Sequence, residues 1–142
     1  MNIDTAIKKA SKDLKKNSIR SSILDSEILM SKVLNKDRMY LTLYSKNELS
    51  DKQYKNFQKL ISNRSKGKPI AYLIGSKSFW KYNFYLNSNV LIPRPDTELI
   101  IEQVLEVYKN KKKINFLEVG TGSGCIILSV LKEKESFFFV FY

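Results

Sequence analysis

Apolar side chains recur every three to four residues through the first seventy positions, which is the spacing of one face of a helix. The first run predicts a helix over residues 3–16 with its core positions at Ile3, Ala6, Ile7, Ala10 and Leu14. A second run predicts a helix over residues 22–34 with its core positions at Ile23, Leu24, Ile28, Leu29, Val33 and Leu34. We therefore expect this part of the chain to fold as a small helical bundle.

Residues that favour the beginnings and ends of helices divide the bundle into separate helices. Asn35 suits a left-handed helix end, and the short run over residues 38–44, which alternates well enough for a strand, favours a short helix. Ser50 and Gln53 have the spacing of a capping box. The helix that they open is expected to end near Gly67 and to bury four apolar side chains: Tyr54, Phe57, Leu60 and Ile61.

The pattern changes to aromatic and β-branched residues between positions 70 and 92. Two short runs, 78–81 and 84–86, predict a β-hairpin whose turn lies at Tyr82 and Asn83, because Asn tolerates positive φ. Two interpretations of the aromatic side chains remain open. They either stabilise the hairpin through cross-strand pairs or form a wall over a ligand site.

Two prolines flank Arg94 and predict an extended backbone there, followed by Asp96 as the N-cap of a helix over residues 97–109. That helix has an apolar stripe at Leu99, Ile100, Val104, Leu105 and Tyr108. A basic connection over residues 109–113 leads into a strand, 114–119, which we expect to be buried.

A glycine-rich loop follows this strand, with the pattern Glu118-x-Gly120-x-Gly122-x-Gly124. Its spacing fits neither the phosphate loop that ends in Gly-Lys-Ser/Thr nor the dinucleotide fingerprint G-x-G-x-x-G. In Rossmann-like methyltransferases a loop of this kind holds S-adenosylmethionine. The helix start and loop amides suit the carboxylate of that molecule, and Glu118 suits its ammonium group. Cys125 beside the loop is interpreted as a small packing residue.

The amino-acid composition excludes some kinds of functional site. The chain has 142 residues, a net charge of +11, one cysteine and no histidine, which excludes histidine-dependent triads and histidine metal ligands. The single cysteine and the lack of an N-terminal signal pattern suggest the cytoplasm, without disulfides. The lysines spread along the whole chain, so the charge reflects either compositional drift or a real acidic partner.

Four segments resemble the HemK-type glutamine methyltransferases that modify peptide chain release factors. The order and spacing of these segments agree with the family over residues 3–134. The most specific are Pro-Arg-Pro-Asp-Thr-Glu at 93–98 and Gly-Thr-Gly-Ser-Gly at 120–124. The others are Leu-Asp-Ser-Glu-Ile-Leu at 24–29 and the bundle exit at 64–75.

This resemblance implies a helical substrate-recognition domain over residues 1–75, a β-hairpin linker over 76–92 and the beginning of a Rossmann-like methyltransferase domain over 93–142. It implies methyl transfer from S-adenosylmethionine to the glutamine side-chain amide of the release factor Gly-Gly-Gln motif. The cofactor-binding residues that it implies are Glu118, Gly120, Thr121, Gly122, Ser123 and Gly124. It places Arg94, Thr97 and Glu98 next to that pocket, and it implies no metal.

Two parts of the family pattern are absent from the chain: the acid that binds the ribose at the end of the second strand, and the Asn-Pro-Pro-Tyr loop. The aromatic tail, residues 137–142, ends before that acid. We therefore expect a truncated, inactive or nearly inactive fragment, for which no catalytic residue is assigned. Two alternatives are a non-enzymatic basic module that binds a release factor or ribosomal RNA, and a fragment of a nucleic-acid amino-methyltransferase.

Overall fold

The computed structural model describes residues 1–111, 114–134 and 138–141. The chain divides into two compact units, Met1–Ile74 and Gly75–Tyr142, here called the helical unit and the second unit. The helical unit consists of α1 (Ile3–Lys16), α2 (Ser22–Leu34), α3 (Arg38–Leu43), α4 (Asp51–Ser65) and α5 (Ile70–Ile74). The second unit contains β1 (Ser76–Phe79), β2 (Tyr82–Tyr85), a 3-10 turn (Pro95–Thr97), α6 (Glu98–Val107), β3 (Asn115–Glu118), α7 (Cys125–Glu133) and β4 (Phe138–Phe141).

Local signals account for the ends of the helices in the helical unit. The Ser50 side chain accepts a hydrogen bond from the Gln53 N–H, and the Gln53 side chain accepts one from the Ser50 N–H, so the predicted capping box is confirmed. Asn35 ends α2 in the left-handed conformation with φ 50°, as predicted. Residues 38–43 form the short helix that the sequence favoured, with Asp37 as its N-cap.

The core of the helical unit contains the predicted stripes of α1 and α4, but α2 differs from its prediction. Ile23 is 64% exposed and Leu24 is 43% exposed, whereas Asp25 and Ser26 are buried. Both polar residues have hydrogen-bond partners, and that of Asp25 lies on another helix. The Asp25 carboxylate accepts hydrogen bonds from the Arg64 Nε and the Ser21 hydroxyl, and Ser26 donates to a backbone carbonyl.

The β-hairpin exists, but its turn lies two residues earlier than predicted. Phe79 pairs with Tyr82, so Trp80 and Lys81 form the turn, and Asn83 lies in β2 opposite Ser78. Trp80 takes the positive φ of 56° that was expected near Asn83. The hydrogen bonds that hold Trp80 in this conformation come from distant parts of the chain.

The start of α6 also differs from its prediction. Asp96 lies inside the 3-10 turn, and α6 begins at Glu98 after Thr97, without a side-chain cap. Pro95 begins that turn, so the backbone is already in a 3-10 turn at Asp96, where the sequence predicted an N-cap. Leu99 and Ile100 are largely exposed, whereas Ile101, which the predicted stripe omitted, is fully buried. Ile101 belongs to the cluster through which α6 packs against α7.

β3 and β4 pair in parallel, with Asn115 opposite Phe138 and Glu118 opposite Phe141. The expectation that residues 114–119 are buried was wrong in part. Leu117 is 59% exposed and Val119 is 79% exposed, because within the described residues β3 has a strand neighbour on one side only. Residues 112 and 113 of the basic connection and residues 137 and 142 of the aromatic tail lie outside the described residues.

Candidate cofactor-binding site

The glycine-rich loop connects the end of β3 to the start of α7. Gly120, Gly122 and Gly124 have φ values of +75°, +57° and +73°, in the left-handed region that glycine adopts most easily. The Gly124 N–H donates a 2.8 Å hydrogen bond to the Thr121 carbonyl, and the Gly124 carbonyl accepts one from the Leu128 N–H. The loop is therefore a folded turn that leads directly into the helix.

Two of these glycines differ in what surrounds them. A Cβ atom added to Gly124 would lie 3.1 Å from Cδ1 of Leu128, so the leucine side chain would have to shift to accommodate it. A Cβ atom added to Gly120 would meet no atom within 4 Å. The space beside Gly120 is open, and the main chain there is accessible to a ligand.

Glu118 ends β3, and its carboxylate is bound to the first turn of α7. Its Oε2 accepts a hydrogen bond of 3.2 Å from the Ile127 N–H. Desolvation raises the pKa of the half-buried Glu118, and this hydrogen bond acts in the opposite direction. A carboxylate has more acceptor positions than one such bond uses. The group therefore combines a structural role with the capacity to bind a cationic ligand.

Cys125 occupies the first position of α7 and is buried. Burial raises the pKa of its thiol, and a hydrogen bond with the Ser123 side chain acts in the opposite direction. A thiol with a raised pKa is a poor nucleophile at neutral pH. The interpretation of Cys125 as a packing residue agrees with this environment.

The three residues that were placed next to the pocket have different surroundings. Arg94 is exposed, and its carbonyl accepts a hydrogen bond of 3.1 Å from the Thr97 N–H. The Glu98 carboxylate points to the hairpin, where its Oε1 accepts a hydrogen bond of 2.9 Å from the Trp80 N–H. Glu98 thus has a structural partner that the sequence did not reveal.

A second carboxylate holds the hairpin turn. Glu133, at the end of α7, accepts hydrogen bonds of 2.9 Å from the Trp80 Nε1–H, 2.9 Å from the Lys81 Nζ and 3.2 Å from the Tyr82 hydroxyl. We call this arrangement the Glu133 clamp. The bonds from Lys81 and Trp80 lower the pKa of Glu133, whereas burial and the charge of Glu133 raise the pKa of Tyr82. Sequence reasoning missed the clamp because Glu133 lies more than fifty residues from its three partners and no local pattern connects them.

The hairpin aromatics pack within the second unit, which supports the interpretation that they stabilise the hairpin. Phe79 and Phe84 are buried and pack edge to face, with their ring centroids 6.1 Å apart. Strand β2 also lines a groove of about 410 Å³ together with Ser123 of the loop and Leu128 of α7. One side of the hairpin therefore stabilises the unit, and β2 forms a wall beside the glycine-rich loop.

Within the described residues, no helix is long and apolar enough to cross a membrane. The same residues contain no cluster of carboxylate or cysteine side chains with the arrangement of a metal site.

Comparison with known proteins gives two results. A family model described as the PrmC N-terminal domain matches residues 5–75. The release factor glutamine methyltransferase of Leptospira interrogans is 42% identical over 127 residues, which is 89% of this chain and 44% of that protein.

Two further proteins with the same name give similar values. The Buchnera aphidicola protein is 41% identical over 131 residues, which cover 92% of this chain and 46% of that protein. The Shewanella oneidensis protein is 38% identical over 120 residues, which cover 84% of this chain and 41% of that protein. The chain spans less than half the length of these three curated relatives.

Proposed function

Since the chain belongs to the PrmC N-terminal domain family, we propose that it carries the substrate-recognising unit and the cofactor loop of a release factor glutamine methyltransferase. The proposed reaction transfers a methyl group from S-adenosylmethionine to the side-chain amide nitrogen of a glutamine in the release factor. In this proposal residues 1–75 recognise the substrate, 76–92 form a linker, and 93–142 begin a Rossmann-like methyltransferase domain.

The observation that carries the proposal is the order of elements around the glycine-rich loop. β3, α7 and β4 follow one another, and the two strands pair in parallel, which is the arrangement of a βαβ unit. In open α/β sheets, ligands bind beyond the carboxyl ends of the strands, where the loop between the first strand and the helix begins. Residues 120–124 lie at that position.

Three features of the loop support the proposed binding of S-adenosylmethionine. The open space beside Gly120 leaves room for a ligand against the main chain, and the start of α7 favours a carboxylate. The Glu118 carboxylate suits the ammonium group. When bound, the cofactor supplies a methyl group activated by a sulfonium, so that transfer requires no metal. We propose the backbone of residues 120–124 and the side chain of Glu118 as the residues that hold it.

Arg94, Thr97 and Glu98, at the start of α6, support the walls of the proposed site from outside the groove. Arg94 and Thr97 hold the chain in the 3-10 turn, and Glu98 fixes the hairpin whose second strand lines the groove beside Ser123. We propose that this groove excludes water from one side of the bound cofactor. The residues that orient the acceptor glutamine are not assigned to this chain.

Equilibrium dialysis with radiolabelled S-adenosylmethionine tests the proposal, because binding needs fewer groups than turnover. Gly120→Val fills the open space beside the loop, and Gly67→Val is the matched control, since Gly67 also has positive φ and open space but lies in the helical unit. We expect the wild-type chain and Gly67→Val to bind the label and S-adenosylhomocysteine to displace it. Gly120→Val should weaken binding by a factor on the order of ten or more.

Equal binding by the two variants would contradict the assignment of the loop. The class of substrate is tested separately, by binding of a purified release factor or of bulk RNA to the chain, because binding does not need the acceptor loop. Binding of the release factor in preference to RNA supports the proposal. Binding of nucleic acid alone would favour a nucleic-acid amino-methyltransferase instead.

A further inference from the structure

The positive charge of the chain falls mainly on the helical unit. Residues 1–74 contain sixteen Lys and Arg against seven Asp and Glu, a net charge of +9, whereas residues 75–142 contain nine against seven, a net charge of +2. Each unit contains seven acids, so the difference comes from the larger number of Lys and Arg in the helical unit. A uniform compositional drift does not account for this difference.

Part of this charge surrounds a groove of about 780 Å³ between the end of α1 and the start of α2, here called the α1–α2 groove. Its lining consists of four serines and six other side chains, none of them acidic or aromatic. The six are the cations Lys12, Lys15 and Arg20 and the aliphatic residues Ile19, Ile23 and Leu24.

The three cations have no carboxylate partner in the part of the chain that the structure describes. The two acids closest to them in sequence are turned away from the groove. Asp13 lines a separate cavity between α1 and α4. Asp25 is 4% exposed and is bound to Arg64. The positive potential of the groove is therefore not neutralised from within the unit.

The aliphatic side of the groove comes from the unexpected orientation of α2. Because α2 buries Asp25 and Ser26, its neighbours Ile23 and Leu24 face solvent beside the cations. Covering two such side chains releases water from apolar surface and is favourable. A partner that matches this groove has carboxylates for the cations and aliphatic side chains for Ile23 and Leu24.

We propose that the α1–α2 groove docks an acidic segment of the protein substrate that also carries leucine or isoleucine side chains. Carboxylates of that segment pair with Lys12, Lys15 and Arg20, and its aliphatic side chains pack on Ile23 and Leu24. Single-stranded nucleic acid fits less well, because its bases stack on aromatic side chains and the groove offers none. The identity of the substrate as a release factor rests on the proposed function.

Fluorescence anisotropy with the whole chain tests the groove without a release factor. The probe is a labelled synthetic peptide of alternating glutamate and leucine pairs, compared with a peptide in which serine replaces leucine and with a labelled oligouridine. Lys12→Glu/Lys15→Glu/Arg20→Glu removes the cations. Lys52→Glu/Lys55→Glu/Lys59→Glu changes the net charge equally on exposed positions of α4.

The glutamate–leucine peptide should bind in a salt-dependent manner, and the groove variant should weaken binding by a factor on the order of ten or more while the α4 variant changes it little. Ile23→Ser/Leu24→Ser should weaken binding as well, whereas Met39→Ser/Leu43→Ser, at two other exposed apolar positions, should not. Equal losses in both charge variants, or tighter binding of oligouridine than of the peptide, would overturn the proposal.

A second arm with a purified release factor separates this inference from the proposed function. If the wild-type chain and the groove variant bind the release factor equally, the groove is not its docking site, although the proposed reaction stands. If the peptide binds through the groove and the release factor does not bind the chain, the groove assignment stands and the substrate is a different acidic protein.

Discussion

The backbone N–H of Trp80 donates a hydrogen bond of 2.9 Å to Oε1 of Glu98, eighteen residues further along the chain. The indole of the same tryptophan donates to Glu133 at the end of α7. Trp80 is held at a positive φ of 56°, which is costly for a residue with a Cβ atom. Two carboxylates therefore fix a turn that the local sequence does not favour.

The first prediction concerns Glu98. Glu98→Ala leaves the partly buried Trp80 N–H without its acceptor, and we expect a loss of about 1–3 kcal/mol in the free energy of unfolding. Glu98→Gln keeps a side-chain carbonyl that accepts the same hydrogen bond, so its loss should be smaller. Amide hydrogen exchange at Trp80, together with urea unfolding, measures both effects. Identical exchange rates in the two variants would contradict the role of this bond.

The second prediction concerns the ion pair of Asp25 with Arg64, whose side chains are only 5% and 17% exposed. Removing one partner leaves a buried charge without compensation, so Asp25→Ala should cost about 3–5 kcal/mol. The more exposed pair of Glu27 with Arg38 is the control, because Glu27→Ala should cost less than about 1 kcal/mol.

Chemical unfolding followed by circular dichroism compares these variants. The double variant Asp25→Ala/Arg64→Ala should cost less than the sum of its two single variants, since it removes both charges together. Strict additivity would show that the pair is not coupled.

The third prediction concerns Gly124, where both the positive φ and the closeness of Leu128 disfavour a residue with a Cβ atom. Gly120→Ala and Gly124→Ala both place a Cβ atom on a backbone of positive φ, which costs about 1–2 kcal/mol. Only the alanine at position 124 also crowds the Leu128 side chain, so Gly124→Ala should be the more destabilising of the two.

In a Leu128→Ala background the difference between these two glycine variants should largely disappear. Leu128 is partly exposed, so its own replacement leaves the chain folded. Thermal unfolding of the six combinations, including the parent chain and Leu128→Ala, provides the measurement. A difference that persists without the leucine side chain would show that the crowding is not its cause.

The fourth prediction is a pH dependence caused by Glu118, whose pKa desolvation raises. Because the folded state holds the proton more tightly than the unfolded chain, this group stabilises the fold most below the unfolded pKa. That contribution is lost as the pH rises through the raised folded pKa. Glu118→Gln can keep the bond from Ile127 but has no proton to lose.

We therefore expect the stability of the wild-type chain to fall relative to Glu118→Gln as the pH rises from about 3 to 7. Urea unfolding of the two proteins across that interval measures the difference. The same ionisation favours an ammonium ligand, so binding of S-adenosylmethionine should increase with pH in the wild type only. A stability difference that rises with pH instead would contradict the direction of the shift.

The features that the sequence predicted best depend on residues no more than four positions apart in the chain. The stripe of α1, the capping box at Ser50 and the left-handed end at Asn35 are of this kind, and all three are confirmed. The loop conformation at Gly120 follows from the same short-range logic, because glycine spacing allows positive φ.

The features that were predicted wrongly depend on partners far away in the chain. Ile23 and Leu24 follow the helical period, yet α2 turns them outward because Asp25 binds Arg64, thirty-nine residues away. The hairpin turn was predicted at the wrong residues for a similar reason. No local pattern reveals the two distant carboxylates that bind Trp80. Periodicity describes which face of a helix is apolar, but buried polar pairs can override it.

Trp80 is the single tryptophan of the chain, and the Glu133 clamp holds its indole. The intrinsic emission of the protein above the tyrosine band therefore arises from one turn. Opening of that turn replaces a carboxylate partner by water and shifts the emission, whereas melting of the tryptophan-free helical unit changes it little. The chain thus carries its own optical probe, with which the unfolding of the second unit can be followed separately and without a label.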